Sequence, residues 1–220
     1  MSLSPIVASK RITEKYKRYL RTIFPISDRV YARQFEEALA DESAYEAGPY
    51  LSVTDSFIKG SSIRELVDSG ILAAGFDKIN MPYDRPLYKH QQIAVEKSCR
   101  GGNIVVSTGT GSGKTECFLI PIFSHLIREL ATGTLSKGVR ALIIYPMNAL
   151  ANDQTERLRK VLADMPQITF GSYTGQTKDR YEEALAEYKA LNDNKTPLRN
   201  ELISREQIRE VPPHILITNY

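Results

Sequence analysis

Residues 104–120 read I-V-V-S-T-G-T-G-S-G-K-T-E-C-F-L-I, and no other stretch narrows the possible folds so far. Ile104, Val105 and Val106 are β-branched and apolar, glycines follow at 109, 111 and 113, then come Lys114, Thr115 and an apolar series of helical spacing. The order predicts strand, loop, helix. A Cβ at those glycines would bar either the backbone angles or the close approach of a bound group. Successive N–H groups and the positive end of the following helix then converge on one spot, which suits an anion. The segment Thr108, Gly109, Thr110, Gly111, Ser112, Gly113, Lys114, Thr115 and Glu116 is therefore the expected cradle for a nucleoside triphosphate. In it Lys114 reaches the β and γ oxygens and the Thr115 hydroxyl takes Mg²⁺, which makes these two the candidate catalytic residues and Thr115 the candidate metal ligand. The common form of such a loop has glycine where this chain has Thr108.

Downstream of position 87 the pattern alternates. A helix is expected from Leu87 to near Arg100, the loop strand and its helix (118–130) follow, and V-R-A-L-I-I-Y at 139–145 reads as a strand apolar enough for burial on both faces. Helices at 149–162 and 178–191, strands at 168–173 and 214–218, and a short helix capped by Ser204 complete the series. Repeated strand and helix units predict an α/β fold, a parallel sheet with helices on both faces.

Residues 1–80 differ. The segment 10–24 sets Ile12, Tyr16, Tyr19, Leu20 and Ile23 at helical spacing among six Lys and Arg residues, a basic amphipathic helix. Helices are expected again at 29–39 and after the Ser62/Glu65 capping box, with a break at Gly48-Pro49 and an extended piece at Tyr50, Leu51, Val53 and Thr54. The proline-bearing stretch 80–86 is the expected boundary, so 1–80 reads as a mainly helical extension and 81–220 as the catalytic-type lobe. A net charge of +3 permits nucleic-acid binding without demanding it. No apolar run is long enough to span a membrane, and the start lacks the apolar core of a secretory signal, which predicts a cytoplasmic protein. Cys99 and Cys117 have neither metal nor redox spacing and read as reduced packing residues.

Four blocks carry a resemblance: Tyr88-Lys89-His90-Gln91, the loop at 108–115, Tyr145-Pro146-Met147-Asn148-Ala149-Leu150-Ala151-Asn152-Asp153-Gln154, and Tyr173-Thr174-Gly175-Gln176-Thr177 with 215–219. Their order resembles the first RecA-like lobe of superfamily two DEAD/DEAH-box helicases, with Thr108 in the helicase-like form of the loop. The second half looks most like large prokaryotic DNA helicases, a group that includes phage-defence helicases. The resemblance implies that Tyr88 and Gln91 bind the adenine, a glutamine being able both to donate to and accept from its edge. It implies that Pro146, Met147, Asn148 and Ala149 open a helix that holds a phosphate of single-stranded nucleic acid, with Gly175, Thr218 and Asn219 adding contacts. DNA is expected over RNA.

Hydrolysis in that family needs an acidic box holding Mg²⁺, and no D-E-x-H or D-E-x-D follows Thr115. The chain is thus expected to be the N-terminal part of an ATP-driven helicase or translocase, an incomplete lobe that binds ATP without turning it over and leaves an apolar edge in its sheet. Two alternatives stand beside this: a module that binds ATP or nucleic acid without motor action, and another phosphate-loop enzyme. The extension is a candidate surface for a protein partner.

Overall fold

The computed structural model describes residues 4–41 and 56–219. They fall into two compact units, Met1–Ser56 and Phe57–Tyr220. The expected break at 48–49 and the extended piece at 50–54 lie outside the described residues.

In the first unit α1 (Pro5–Ile23) begins on a proline, whose fixed φ suits a first helical turn. Asp28 caps α2 (Arg29–Ala40), its carboxylate accepting from the N–H groups of Val30 and Tyr31. The two helices are joined by a forked ion pair, Arg21 to Glu36 at 2.9 and 2.8 Å, and by the edge-to-face rings of Phe24 and Phe35. Among the described residues of α1 and α2 only Leu39 is buried, and Ile12, Tyr16, Tyr19 and Ile23 all stay exposed.

The second unit opens with a small antiparallel pair, β1 (Lys59–Ser62) against β2 (Pro86–Tyr88). Between them α3 (Ile63–Asp68) starts on the expected capping box: Ser62 accepts from the Glu65 N–H while the Glu65 carboxylate accepts from the Ser62 N–H. Then come α4 (Lys89–Cys99), α5 (Glu116–Ala131), β3 (Ala141–Tyr145), α6 (Asn148–Val161), β4 (Phe170–Tyr173), α7 (Tyr181–Leu191), β5 (Glu201–Leu202), α8 (Arg205–Glu210) and β6 (Ile215–Asn219). The main sheet is four-stranded and parallel, in the order β3-β6-β4-β5. Its fold class is the α/β architecture expected. The core joins Ile120, Phe123 and Leu126 of α5 to Ile143, Phe170, Ile215 and Ile217 of the sheet and Leu158 of α6.

Four local expectations need correction. Ile63, Leu66, Leu72 and Phe76 belong to this same core, and Ser124 on α5 accepts from the Ala73 N–H, so residues 57–80 pack with the lobe and the contact boundary precedes them. Leu87 and Tyr88 are strand rather than helix, because Pro86 favours extended backbone and β1 supplies a ladder. In β3 only Ile143 is buried; Leu142 and Ile144 are 56% exposed, because β3 is the outer strand and one face is uncovered. Residues 104–107 form no strand: no described strand lies beside them to complete a ladder, and Val105 is 97% exposed. The apolar edge expected from the sequence is thus present at Val105, Leu142 and Ile144.

Candidate nucleotide and nucleic-acid site

Lys114 and Thr115 sit where the loop meets α5, with Gly111 and Gly113 in the left-handed region at φ of 75° and 72°. Only glycine adopts that backbone freely. At Gly113 a side chain would also strike Gln91 Nε2 at 2.4 Å, whereas the space beside Gly109 and Gly111 is open. Among the described residues no acceptor meets the N–H groups of residues 109–115. Such a run of unpaired donors, one of them on fully buried Ser112, is what an anion would satisfy. The Lys114 ammonium lies across the loop and donates to the Thr108 and Gly109 carbonyls, each at 2.8 Å, leaving one of its three hydrogens. Thr108 and Ser112 are tied hydroxyl to hydroxyl at 2.6 Å.

The donor set fits a polyphosphate. It fits a bound cation in a narrower way. The Thr115 hydroxyl bonds no described residue, and no cluster of three His, Cys, Asp or Glu side chains suited to a metal occurs among the described residues. A Mg²⁺ here would take Thr115 as its protein ligand and share the rest of its shell with phosphate oxygens and water, lending the charge that steadies a leaving phosphate.

The α4 helix closes over this loop. Gln91 is buried and its amide is engaged twice: Oε1 accepts from the Tyr88 N–H at 2.8 Å and Nε2 donates to the Gly113 carbonyl at 2.9 Å. His90 Nε2 meets the Ser112 carbonyl at 2.9 Å. The base-reading role expected of Gln91 is therefore joined by a structural one, positioning the loop. Tyr88 lies at the surface in an aromatic group with Phe57 and His90, ring centres 5.0 to 5.8 Å apart.

Parallel register brings the second set of candidates together. Tyr145 pairs with Asn219 and Tyr173 with Thr218, so the ends of β3, β6 and β4 lie on one edge of the sheet. After Pro146, Met147 caps α6 without a side-chain bond, and the N–H groups of Asn148, Ala149 and Leu150 meet no described acceptor. Asn219 Nδ2 donates to Asn148 Oδ1 at 2.7 Å, which joins two of the candidates directly. Residues 174–177 form a tight turn held by Thr177, whose hydroxyl accepts from the Thr174 N–H and donates to the Ser172 carbonyl, and Gly175 stands exposed at its tip. Thr218 is spent inside the sheet, its hydroxyl donating to the Tyr173 carbonyl at 2.7 Å. Glu116 is not in the loop's mouth either: it is buried and pairs with Arg157 of α6 at 2.7 Å. That pairing was not visible in the sequence, because the two positions are far apart and only the α5–α6 packing joins them.

Residues 88–216 match the family model for the DEAD/DEAH box helicases. This chain belongs to the DEAD/DEAH box helicase family. Within the family it is 32% identical over 188 residues to the Druantia protein DruE of Escherichia coli, an alignment covering 76% of this chain and 10% of that protein. It is 34% identical over 128 residues to the ATP-dependent helicase Lhr-Core of Methanothermobacter thermautotrophicus, covering 58% of this chain and 13% of that one. Among solved structures, the DUF1998 helicase MrfA bound to DNA superposes with a TM-score of 0.52 at 25% identity, covering 84% of this chain and 22% of that one. The chain thus spans a tenth to about a fifth of these relatives. Its RecA-like sheet, phosphate loop and strand-end turns are those of a helicase domain, which implies ATP use.

Proposed function

We propose that this chain is the ATP-binding and nucleic-acid-binding part of an ATP-dependent DNA helicase or translocase. The observation that carries the reading is the run of N–H groups at 109–115 without an acceptor, closed by an ammonium held only on its own loop. Phosphates would draw Lys114 off the Thr108 and Gly109 carbonyls, and the loop amides would take the oxygens. The adenine would rest near Tyr88 and Gln91. At the strand ends, the uncapped N-terminus of α6 would hold a phosphate of one strand with no regard to base, and Gly175 and Asn219 would add backbone contacts. Relatives named as a DNA-bound helicase and as ATP-dependent helicases support this direction. DNA rather than RNA, Mg²⁺ at Thr115, a cytoplasmic location and a part in phage defence are proposed on the same footing. No described helix is long and apolar enough to cross a membrane.

The test is equilibrium binding of a fluorescent ATP analogue to the chain and to its Lys114→Ala variant. Identical affinities would refute the reading. Single-stranded DNA and RNA oligonucleotides in competition separate the two polymers, and a tenfold preference corresponds to about 1.4 kcal/mol. Steady ATP turnover by the chain alone would contradict the expected absence of hydrolysis.

A further inference from the structure

Glu116 opens α5 immediately after the phosphate loop, yet its carboxylate turns inward and is 9% exposed. Oε1 accepts from Arg157 Nη2 at 2.7 Å, while Oε2 is buried without any donor. Arg157 belongs to α6, whose N-terminus faces the strand-end turn. The same guanidinium acts electrostatically on the Tyr145 hydroxyl, the last residue of β3 before Pro146. One ion pair therefore joins the residue after Thr115 to the helix after Pro146.

The other side of Glu116 faces the loop. A side chain built at Gly113 would lie 3.0 Å from Glu116 Oε2 and 2.4 Å from Gln91 Nε2, so both groups converge on one glycine. Gln91 Nε2 carries two hydrogens and gives one to the Gly113 carbonyl. A donor with a hydrogen to spare and a buried acceptor with no donor thus face the same residue of the loop. Such an arrangement has a second state within reach, in which Gly113 moves and the two groups meet.

We propose that Glu116 and Arg157 are positioning residues that make the state of the phosphate loop felt at the N-terminus of α6, a proposal that rests on the nucleotide and nucleic-acid reading above. Phosphates that draw Lys114 off the loop carbonyls shift Gly113, Gln91 closes on Glu116 Oε2, and the turned carboxylate carries Arg157 and α6 with it. The nucleotide and the nucleic acid then change each other's affinity by one common factor, as linkage requires.

The experiment measures binding of a fluorescent single-stranded thymidine oligonucleotide to the whole 220-residue chain, with and without saturating non-hydrolysable ATP analogue. The ratio of the two affinities in the wild-type chain is expected to be about 5-fold or more. In Arg157→Met the affinity for each ligand alone keeps its wild-type value, and the ratio falls to about one. Arg157→Lys, which keeps the charge but loses the planar fork, restores part of the ratio. Removing only the arginine strands a buried carboxylate, so the Glu116→Gln/Arg157→Met double variant, neutral in the interior, provides the version safe for folding, and its ratio is also about one. A wild-type ratio persisting in either methionine variant overturns the proposal, as does a wild-type chain that binds both ligands independently. A wild-type chain that binds ATP no better than Lys114→Ala overturns the loop reading itself, and the missing Lys114 dependence tells that failure from the others.

Discussion

The two sides of the parallel sheet treat their polar groups in opposite ways. Beside β4 and β5, buried polar atoms are paired many times over. Asn200, 1% exposed, donates to the Leu162, Met165 and Ile168 carbonyls, and Arg159 grips Glu201 in a fork at 2.7 and 2.9 Å with the Tyr188 ring beneath the guanidinium. Beside β3 the phosphate loop leaves its amides bare, Lys114 is satisfied only by its own loop, and Glu116 Oε2 has no donor. Polar groups that maintain shape are saturated from within, whereas those suited to a ligand keep spare capacity or hold only what a ligand can displace.

Breaking the saturated side should cost the most stability. Arg159→Met leaves Glu201, with its side chain 2% exposed, as an unpaired buried charge, and denaturant unfolding should show a loss of about 3–5 kcal/mol. A loss no larger than that of a surface ion pair would remove the contrast. Next comes Asn200→Ala, which strips a donor from three carbonyls at once and should cost about 2–3 kcal/mol in the same measurement.

On the open side the effects should appear in binding instead. Lys114→Ala should weaken ATP binding at least about tenfold, about 1.4 kcal/mol, while leaving the unfolding midpoint near its wild-type value, since the bonds it removes serve only the loop. A large stability loss in that variant would show that the ammonium is structural.

The smallest effect concerns pH. Burial pushes the His214 pKa down, and its Nδ1 accepts from the Thr169 N–H at 2.9 Å, so the folded ring resists the proton that the unfolded chain accepts. Above about pH 6.5 both states are neutral and the contribution is complete; below it the unfolded state binds the proton first, and stability falls until the folded ring titrates too. The thermal midpoint should therefore drop between neutral and mildly acidic pH, and His214→Asn should flatten that slope.

How legible each part was in the sequence follows from how local its cause is. The Ser62 and Ser204 capping boxes form as read, since each is closed by residues three positions apart. The parallel units from 141 to 219 also form as read, because each strand or helix carries its own periodicity. The strand expected at 104–106 does not form: a strand needs a ladder that its own residues cannot supply. Nor does the apolar content of β3 produce two buried faces, because burial depends on what is packed outside an edge strand. The short strands β1, β2 and β5 escaped notice for the same reason, being too brief to show any period.

By itself the sequence determined the phosphate loop, down to which glycines turn it and which cation crosses it, because φ, charge and hydrogen-bonding capacity are properties of single residues. It also determined the alternation that makes a parallel α/β lobe. The tertiary structure alone decided that Gln91 holds Gly113, that Glu116 leaves the loop for Arg157, and that Thr218 serves the sheet while Asn219 reaches Asn148. Those partners are separated along the chain and meet only when α4, α5, α6 and the strand ends pack, so no spacing rule could have announced them.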